Sequence, residues 1–258
     1  MKLNEKQLKA IRYYEGDVTG EDPFWGDPKA YVTLNSLFYD GIDTETRRAL
    51  EGKRLNPAIL EDTDRLYELL KDLLDVFDLC QQKEDILSYR VERYSDYLEM
   101  KKEGRTISFT STSSDGFLKA YGDRIGIALM EFHIAKGFPC ICFSEVLEQD
   151  YLKADEKEIL LPPNLKLSFT EVPLSEDEKE IRDANGDLPI LKCIATVEGI
   201  CTSAEETAVV QEEGRQAGIR VYQALNHNRK PEKEDVLLYT EWKKAFRNRL
   251  FRKREYGI

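Results

Sequence analysis

Histidine is nearly absent: only His133 and His227 occur in 258 residues. Two imidazoles leave little material for a His-rich metal site or a Ser–His–Asp triad, and His133, set in an apolar strand, reads as a core residue. The five cysteines (Cys80, Cys140, Cys142, Cys193, Cys201) are odd in number and lack a C-x-x-C spacing. They suit reduced thiols better than a disulfide framework, and the i, i+2 pair Cys140 and Cys142 lacks the partners of a zinc site, so no metal is expected. There is no G-x-x-x-x-G-K or G-x-G-x-x-G loop to cradle a phosphate. No run of about 18 uncharged apolar residues exists, so no membrane-spanning helix or membrane partner is expected. The opening MKLNEKQLKAIRYY has no apolar signal stretch, which argues against the Sec route and for the cytoplasm.

What is present suffices for a core: 41% of residues are hydrophobic and 10% aromatic. Lys and Arg total 38 against 49 Asp and Glu, a net charge of −11 that opposes nucleic-acid binding by the whole surface but not by a local patch. Residues 243–258 hold seven basic residues and one acidic, a net of +6. That segment reads either as a docking helix with a solvated basic face or as a contact for an acidic partner or nucleic acid.

The first 80 residues read as helical. Asn4 caps a segment with Leu8, Ile11 and Tyr14 at helical spacing, ended by Gly16, and a second apolar segment runs from Tyr31 to Tyr39. Asn56-Pro57 opens a helix whose stripe is Leu66, Leu69, Leu70, Leu73, Leu74 and Phe77. From about residue 85 strand-like runs follow: 86–91, 106–112, 125–135, 138–143, 156–161, 165–172 and 190–197. From Ser203 the pattern is helical again, with Tyr239, Trp242, Phe246 and Leu250 in step. Helices in one block and strands in another indicate an α+β fold. One domain is expected over residues 1–200, helical over 1–84 with a β core over 85–200. Residues 201–258 form a helical extension packed on it.

Three short constellations lie in the β region. Arg90 follows Tyr89 on an apolar strand, where a guanidinium needs either a carboxylate, as in a structural Arg–Glu pair, or an anion such as phosphate. Ser111-Thr112-Ser113 lies on a strand with Phe109, Ser111 and Ser113 on one face. Its hydroxyls suit a carboxylate or a ribose, or simply a Ser/Thr-rich edge. Glu156-Lys157-Glu158 opens a strand on which alternation sets both carboxylates on one face, about 7 Å apart. Taken alone, such a pair is usually a solvated surface pattern.

In order along the chain, Arg on a strand, Ser-Thr-Ser on a strand and Glu-x-Glu at a strand start resemble the signature of the R-S-E class of ADP-ribosyltransferases. Phe117-Leu118-Lys119-Ala120-Tyr121-Gly122, His133-Ile134-Ala135-Lys136-Gly137 and Glu158-Ile159-Leu160-Leu161-Pro162-Pro163 are also similar to stretches of that family. The resemblance covers about residues 86–172 and does not extend over 200–258. It implies a split, mixed or antiparallel β-sandwich core. It also implies transfer of ADP-ribose from NAD+ to an acceptor, with release of nicotinamide and without a metal.

By that resemblance Arg90 holds the NAD+ phosphates and the Val91 backbone grips the nicotinamide carboxamide. Ser111 orients Glu158, Ser113 supports the strand, and Phe117, or else Tyr121, stacks on nicotinamide. Glu158 bonds the ribose 2′-OH and stabilises the cation that develops as the glycosidic bond breaks. Glu156 takes the proton of the acceptor, and in this family Glu-x-Glu goes with arginine acceptors. Tyr151 is the aromatic that the preceding loop presents to the acceptor.

A protein arginine is therefore the expected acceptor. A nucleic-acid acceptor anchored by the basic tail, or a non-catalytic NAD-binding interaction module, are the alternatives. Such an enzyme is expected to act inside its own cell, as a toxin or regulator, or, as an effector, in a target cell after delivery by a non-Sec route. Because a free transferase would endanger its maker, residues 201–258 are the expected contact for an antitoxin or chaperone.

Overall fold

The computed structural model describes residues 3–17, 20–117, 126–147, 157–176, 178–180, 188–201 and 211–251. They fall into two compact units, residues 3–76 with 211–251, and residues 77–201.

The first unit opens with α1 (Glu5–Glu15). Asn4 Oδ1 accepts from the Gln7 amide and the Gln7 side chain accepts from the Asn4 amide, both at 3.0 Å, a reciprocal capping box; Gly16 ends the helix at φ +77°. The segment expected around 31–39 is α2 (Ala30–Ser36), and α3 (Asp43–Leu50) follows. The helix expected behind Asn56-Pro57 is in fact two, α4 (Ala58–Glu61) and α5 (Thr63–Leu79). Asn56 caps only the first, taking the Ala58 amide at 3.0 Å. Asp62 leaves helical geometry at φ −124° and accepts the Arg65 amide at 3.0 Å, so it is the residue that caps the long helix. The apolar stripe from Leu66 to Phe77 is buried as its spacing predicts.

The second unit carries β1 (Ile86–Arg93), α6 (Tyr94–Glu103), β2 (Thr110–Ser113), β3 (Ile127–Ile134), β4 (Ile141–Cys142), α7 (Phe143–Val146), β5 (Glu158–Leu161), β6 (Leu165–Val172) and β7 (Ile190–Ile200). The strands form one seven-stranded sheet in the order β4-β5-β2-β1-β3-β7-β6. The β3–β7 ladder is parallel and the others antiparallel, so the sheet is mixed. The expected split shows as a narrowing: β1 and β2 meet at one pair, Tyr89 with Ser113. The strand expected from 106 begins only at Thr110, and α6 fills a stretch for which no helix was expected. The core of this unit joins Met130, Phe132 and Ile134 of β3, Ile159 and Leu161 of β5, Leu165 and Leu167 of β6, Cys193 and Ala195 of β7, and Tyr97 of α6. His133 is not in it: its side chain is 41% exposed, with Nε2 at 2.7 Å from Glu131 Oε1, because alternation along β3 turns it away from Phe132 and Ile134.

The first unit is completed by α8 (Glu212–Asn226) and α9 (Lys233–Phe251). Gly218 lets them approach closely, since a Cβ there would lie 2.5 Å from the Tyr239 ring. Arg215 of α8 donates from Nη1 to the carbonyls of Leu60 and Glu61 at 3.0 and 2.8 Å, satisfying the end of α4. Of the described basic residues of α9, Lys243 and Arg247 are turned inward, while Lys233 and Arg249 stay exposed. Lys243 is buried against Glu45 at 2.6 Å, and Arg247 reaches Asp40 and the Leu37 carbonyl. Among the described residues no helix is long and apolar enough to cross a membrane.

Candidate active site

Two antiparallel ladders set the site. In β1–β2 Tyr89 faces Ser113, and in β2–β5 Ser113 faces Glu158, so Tyr89, Ser113 and Glu158 stand in one row across three strands. Directly opposed residues share a face, and Ser111, two residues from Ser113, shares it too. Ser111 stands opposite Leu160, two pairs along from Glu158. Thr112 ties the two strands from the other face, its Oγ1 donating to the Ile159 carbonyl at 2.8 Å.

Glu158 is only 4% exposed. The backbone that delivers it is unusual: Lys157 sits at φ +44°, a left-handed conformation that costs an L-residue about 1–2 kcal/mol. The Lys157 carbonyl is held by the Ser114 amide at 3.1 Å and the Ser114 hydroxyl at 3.3 Å, while Lys157 Nζ lies 3.1 Å from Asp115 Oδ2. Ser113 Oγ in turn accepts the Asp115 amide at 3.1 Å, closing the turn after β2. The strand therefore begins at Glu158, and the alternation argued for Glu156 stops at Lys157. Glu156, Tyr121 and Tyr151 lie outside the described residues.

Arg90 is placed differently from Glu158. In the β1–β3 ladder it faces Met130, so its Cβ starts on the core side, one residue out of step with Tyr89. Its guanidinium is claimed by the protein: Nε donates to Glu92 Oε2 at 2.7 Å and Nη1 to the Ser111 carbonyl at 2.8 Å. Because the β1–β2 ladder is one pair long, Arg90 bridges strands that have no further pairing and braces Ser111 from behind. The side chain remains 30% exposed. Val91 faces Leu129 and is half-buried. Phe117 meets the Tyr89 ring edge-on, centroids 5.3 Å apart, and Lys192 Nζ lies 5.8 Å from the Phe117 centroid.

Glu158 opens onto a cleft of about 410 Å³ lined by residues 81–84, Ile86, Leu87, Ser114, Cys142, Ser144, Glu145, Lys157 and Ile159. This is within the roughly 300–1,000 Å³ of small-molecule sites. Among the described residues no group of three His, Cys, Asp or Glu side chains is placed to hold a metal. Sequence reasoning missed two parts of this arrangement. Tyr89 could have been found by counting back from Glu158 through the strand partners. The 81–84 segment could not, since it reaches the cleft through an isolated bridge between Gln81 and Pro139.

No family model and no curated protein matches the chain. Among solved structures it is similar to the C3 exoenzyme of Clostridium limosum, at 13% identity and TM-score 0.44 over 77% of this chain and 87% of that one. The C3stau2 structure from S. aureus with NAD gives 14% identity and TM-score 0.45 over 76% and 89% of the two chains. Plx2a, an ADP-ribosyltransferase toxin from Paenibacillus larvae, gives 17% identity and TM-score 0.34 over 75% and 96%.

Proposed function

We propose that the chain is a mono-ADP-ribosyltransferase that uses NAD+ as co-substrate and modifies arginine side chains of a target protein. The observation that carries the reading is the placement of Glu158: a carboxylate 4% exposed, in register with Ser113 and Tyr89, at the wall of a cleft large enough for the nicotinamide-ribose end of a dinucleotide. The motif order along the sequence supports it from a separate direction.

In this reading Glu158 accepts a hydrogen bond from the ribose 2′-OH and its charge offsets the positive charge that grows as nicotinamide departs, an interaction stronger in the transition state than in the ground state. Burial of the carboxylate strengthens that effect by excluding water. Ser113 keeps the β2–β5 register, and Arg90 braces Ser111 while presenting its exposed edge to phosphate. Phe117 supplies the aromatic face for nicotinamide, with Tyr121 as the alternative, and the Val91 backbone takes the carboxamide. Glu156 accepts the proton of the incoming guanidinium, which is not nucleophilic while charged, its pKa lying above about 12. Tyr151 steers the acceptor.

The test is incubation of labelled NAD+ with separate protein, RNA and DNA fractions, followed by mapping of the modified residue. Label on protein arginine is the expected outcome; label confined to nucleic acid rejects the acceptor. Glu156→Gln separates the two roles: arginine transfer falls by at least about a hundredfold, on the scale of a lost general base, while NAD+ hydrolysis persists. Equal loss of both activities rejects Glu156 as the acceptor's base.

A further inference from the structure

Three of the five cysteines gather beside the Glu158 cleft. Cys80 and Cys140 face each other across the short bridge that joins Gln81 to Pro139, the Cys140 amide donating to the Cys80 carbonyl at 3.0 Å. Cys142 follows two residues on, within β4, and is the half-buried member of the group, lining the cleft together with Glu158. Its sulfur lies 3.6 Å from Gln82 Nε2, whose amide also donates to the Cys140 carbonyl at 3.4 Å.

We propose that Cys142 is a modification site for hydroperoxides, with Cys140 as the resolving thiol that closes a reversible disulfide in the wall of the cleft.

The chemistry follows from the neighbours. The neighbouring Cys140 thiol holds Cys142 below its ordinary range, against burial and the Glu145 carboxylate and with help from Gln82. Cys140 is pushed up by its Cys142 neighbour and by burial, and Cys80 by burial; Cys142 is the half-buried member that lines the cleft, so it is the nucleophile of the group. In the first step the Cys142 thiolate attacks the terminal peroxide oxygen, the O–O bond breaks, and the leaving oxygen takes a proton to become water from hydrogen peroxide or an alcohol from an organic hydroperoxide; Cys142 is left as a sulfenic acid. In the second step the Cys140 sulfur attacks that of Cys142, the S–S bond forms, and the sulfenic oxygen leaves as water with the Cys140 proton. Two thiols are oxidised by two electrons and one hydroperoxide is reduced. Cys140 and Cys142, two residues apart on extended chain, have Cα atoms about 6.6 Å apart, at the upper end of the disulfide range, so the bond should be readily reduced.

Closing it has a consequence that rests on the functional reading above. β4 is two residues long and pairs Cys142 with Ile159, the neighbour of Glu158. A Cys140–Cys142 bond pulls that strand out of line and shifts the wall beside the carboxylate.

The experiment uses the full chain. Iodoacetamide at neutral pH, followed by peptide mass mapping, should alkylate Cys142 at least about tenfold faster than the half-buried Cys201. Hydrogen peroxide should remove two hydrogens from the peptide holding Cys140 and Cys142, and dithiothreitol should restore them. In Cys140→Ala the oxidation should stop at a sulfenic acid that dimedone captures. If that core variant fails to fold, Gln82→Leu should slow alkylation of Cys142 instead. Alkylation of Cys142 no faster than of Cys201, or a peptide still fully reduced after peroxide, overturns the site. Nicotinamide release, compared for each protein before and after peroxide, should fall at least about fivefold in the wild type and recover with dithiothreitol. It should hold steady in Cys142→Ser. Disulfide formation without that fall overturns the coupling to the cleft. A reduced protein that releases no nicotinamide overturns the functional reading instead, and leaves the mass measurements to decide the thiol site.

Discussion

Lys243 and Glu45 place opposite charges where neither meets water: both side chains are 0% exposed, Nζ lies 2.6 Å from the Glu45 carboxylate, and the Gly41 carbonyl accepts a second bond at 2.5 Å. Burial pushes the Glu45 carboxyl up and the Lys243 ammonium down, while each charge pulls the other back. Removing one partner leaves the other buried and unpaired, so Lys243→Met should lose about 3–5 kcal/mol in denaturant unfolding. Adding Glu45→Leu should recover most of that loss; a single variant within about 1 kcal/mol of wild type would contradict the argument. This pair was not visible in the sequence, where Lys243 counted only as one of a basic run. Arg90, Ser111 and Glu158 stood out there because their residue types are unusual in apolar strands. Their partners did not, because a side chain's direction depends on register. Alternation counted from Glu158 selects Tyr89 and leaves Arg90 on the core side, a distinction that needs the strand pairing and not the strand alone.

At the scale of elements, α6 shows what periodicity conceals. Only Tyr97 of this helix is fully buried, so no apolar stripe announces it. Tyr97 packs edge-on against Phe169 with its hydroxyl donating to Glu171 at 3.0 Å, and Tyr94 and Met100 pack against the same core. Burial and the bond to Glu171 push the phenol from its ordinary 10 up to about 12. An unfolded tyrosine ionises first as the pH rises past about 10, so the unfolded state binds fewer protons there, and stability present below that pH is lost as it climbs toward 12. The Cys80 and Cys193 thiols, pushed up to about 12 by burial, add to the same decline. Tyr97→Phe should therefore shallow the fall in melting temperature between pH 10 and 12 without abolishing it; an unchanged slope would remove Tyr97 from the account. The break between α4 and α5 was hidden for a different reason. Asn56-Pro57 is a good helix start, and nothing in the apolar pattern says that Asp62 starts another.

For the whole molecule, the α+β class, the helical ends and most strand positions could be read from the sequence, since long stripes and short alternating runs are local signals. The grouping of residues 211–251 with 3–76 is not local. It rests on contacts such as Arg215 with the end of α4, Asn226 with Leu55, and Lys243 with Glu45. Deleting residues 202–258 removes all three at once and strands the Glu45 carboxylate, so the truncated chain should lose protease resistance in residues 3–76. Retained resistance would show that those helices stand without α8 and α9. The central claim, that Glu158 carries the chemistry on NAD+, is tested most directly by nicotinamide release from NAD+ by the wild type and by Glu158→Gln. Loss of one preorganised electrostatic contact is worth about 3 kcal/mol, so turnover should drop at least about a hundredfold while the fold persists. A variant that turns over within about threefold of the wild type, on the same scale, would contradict it.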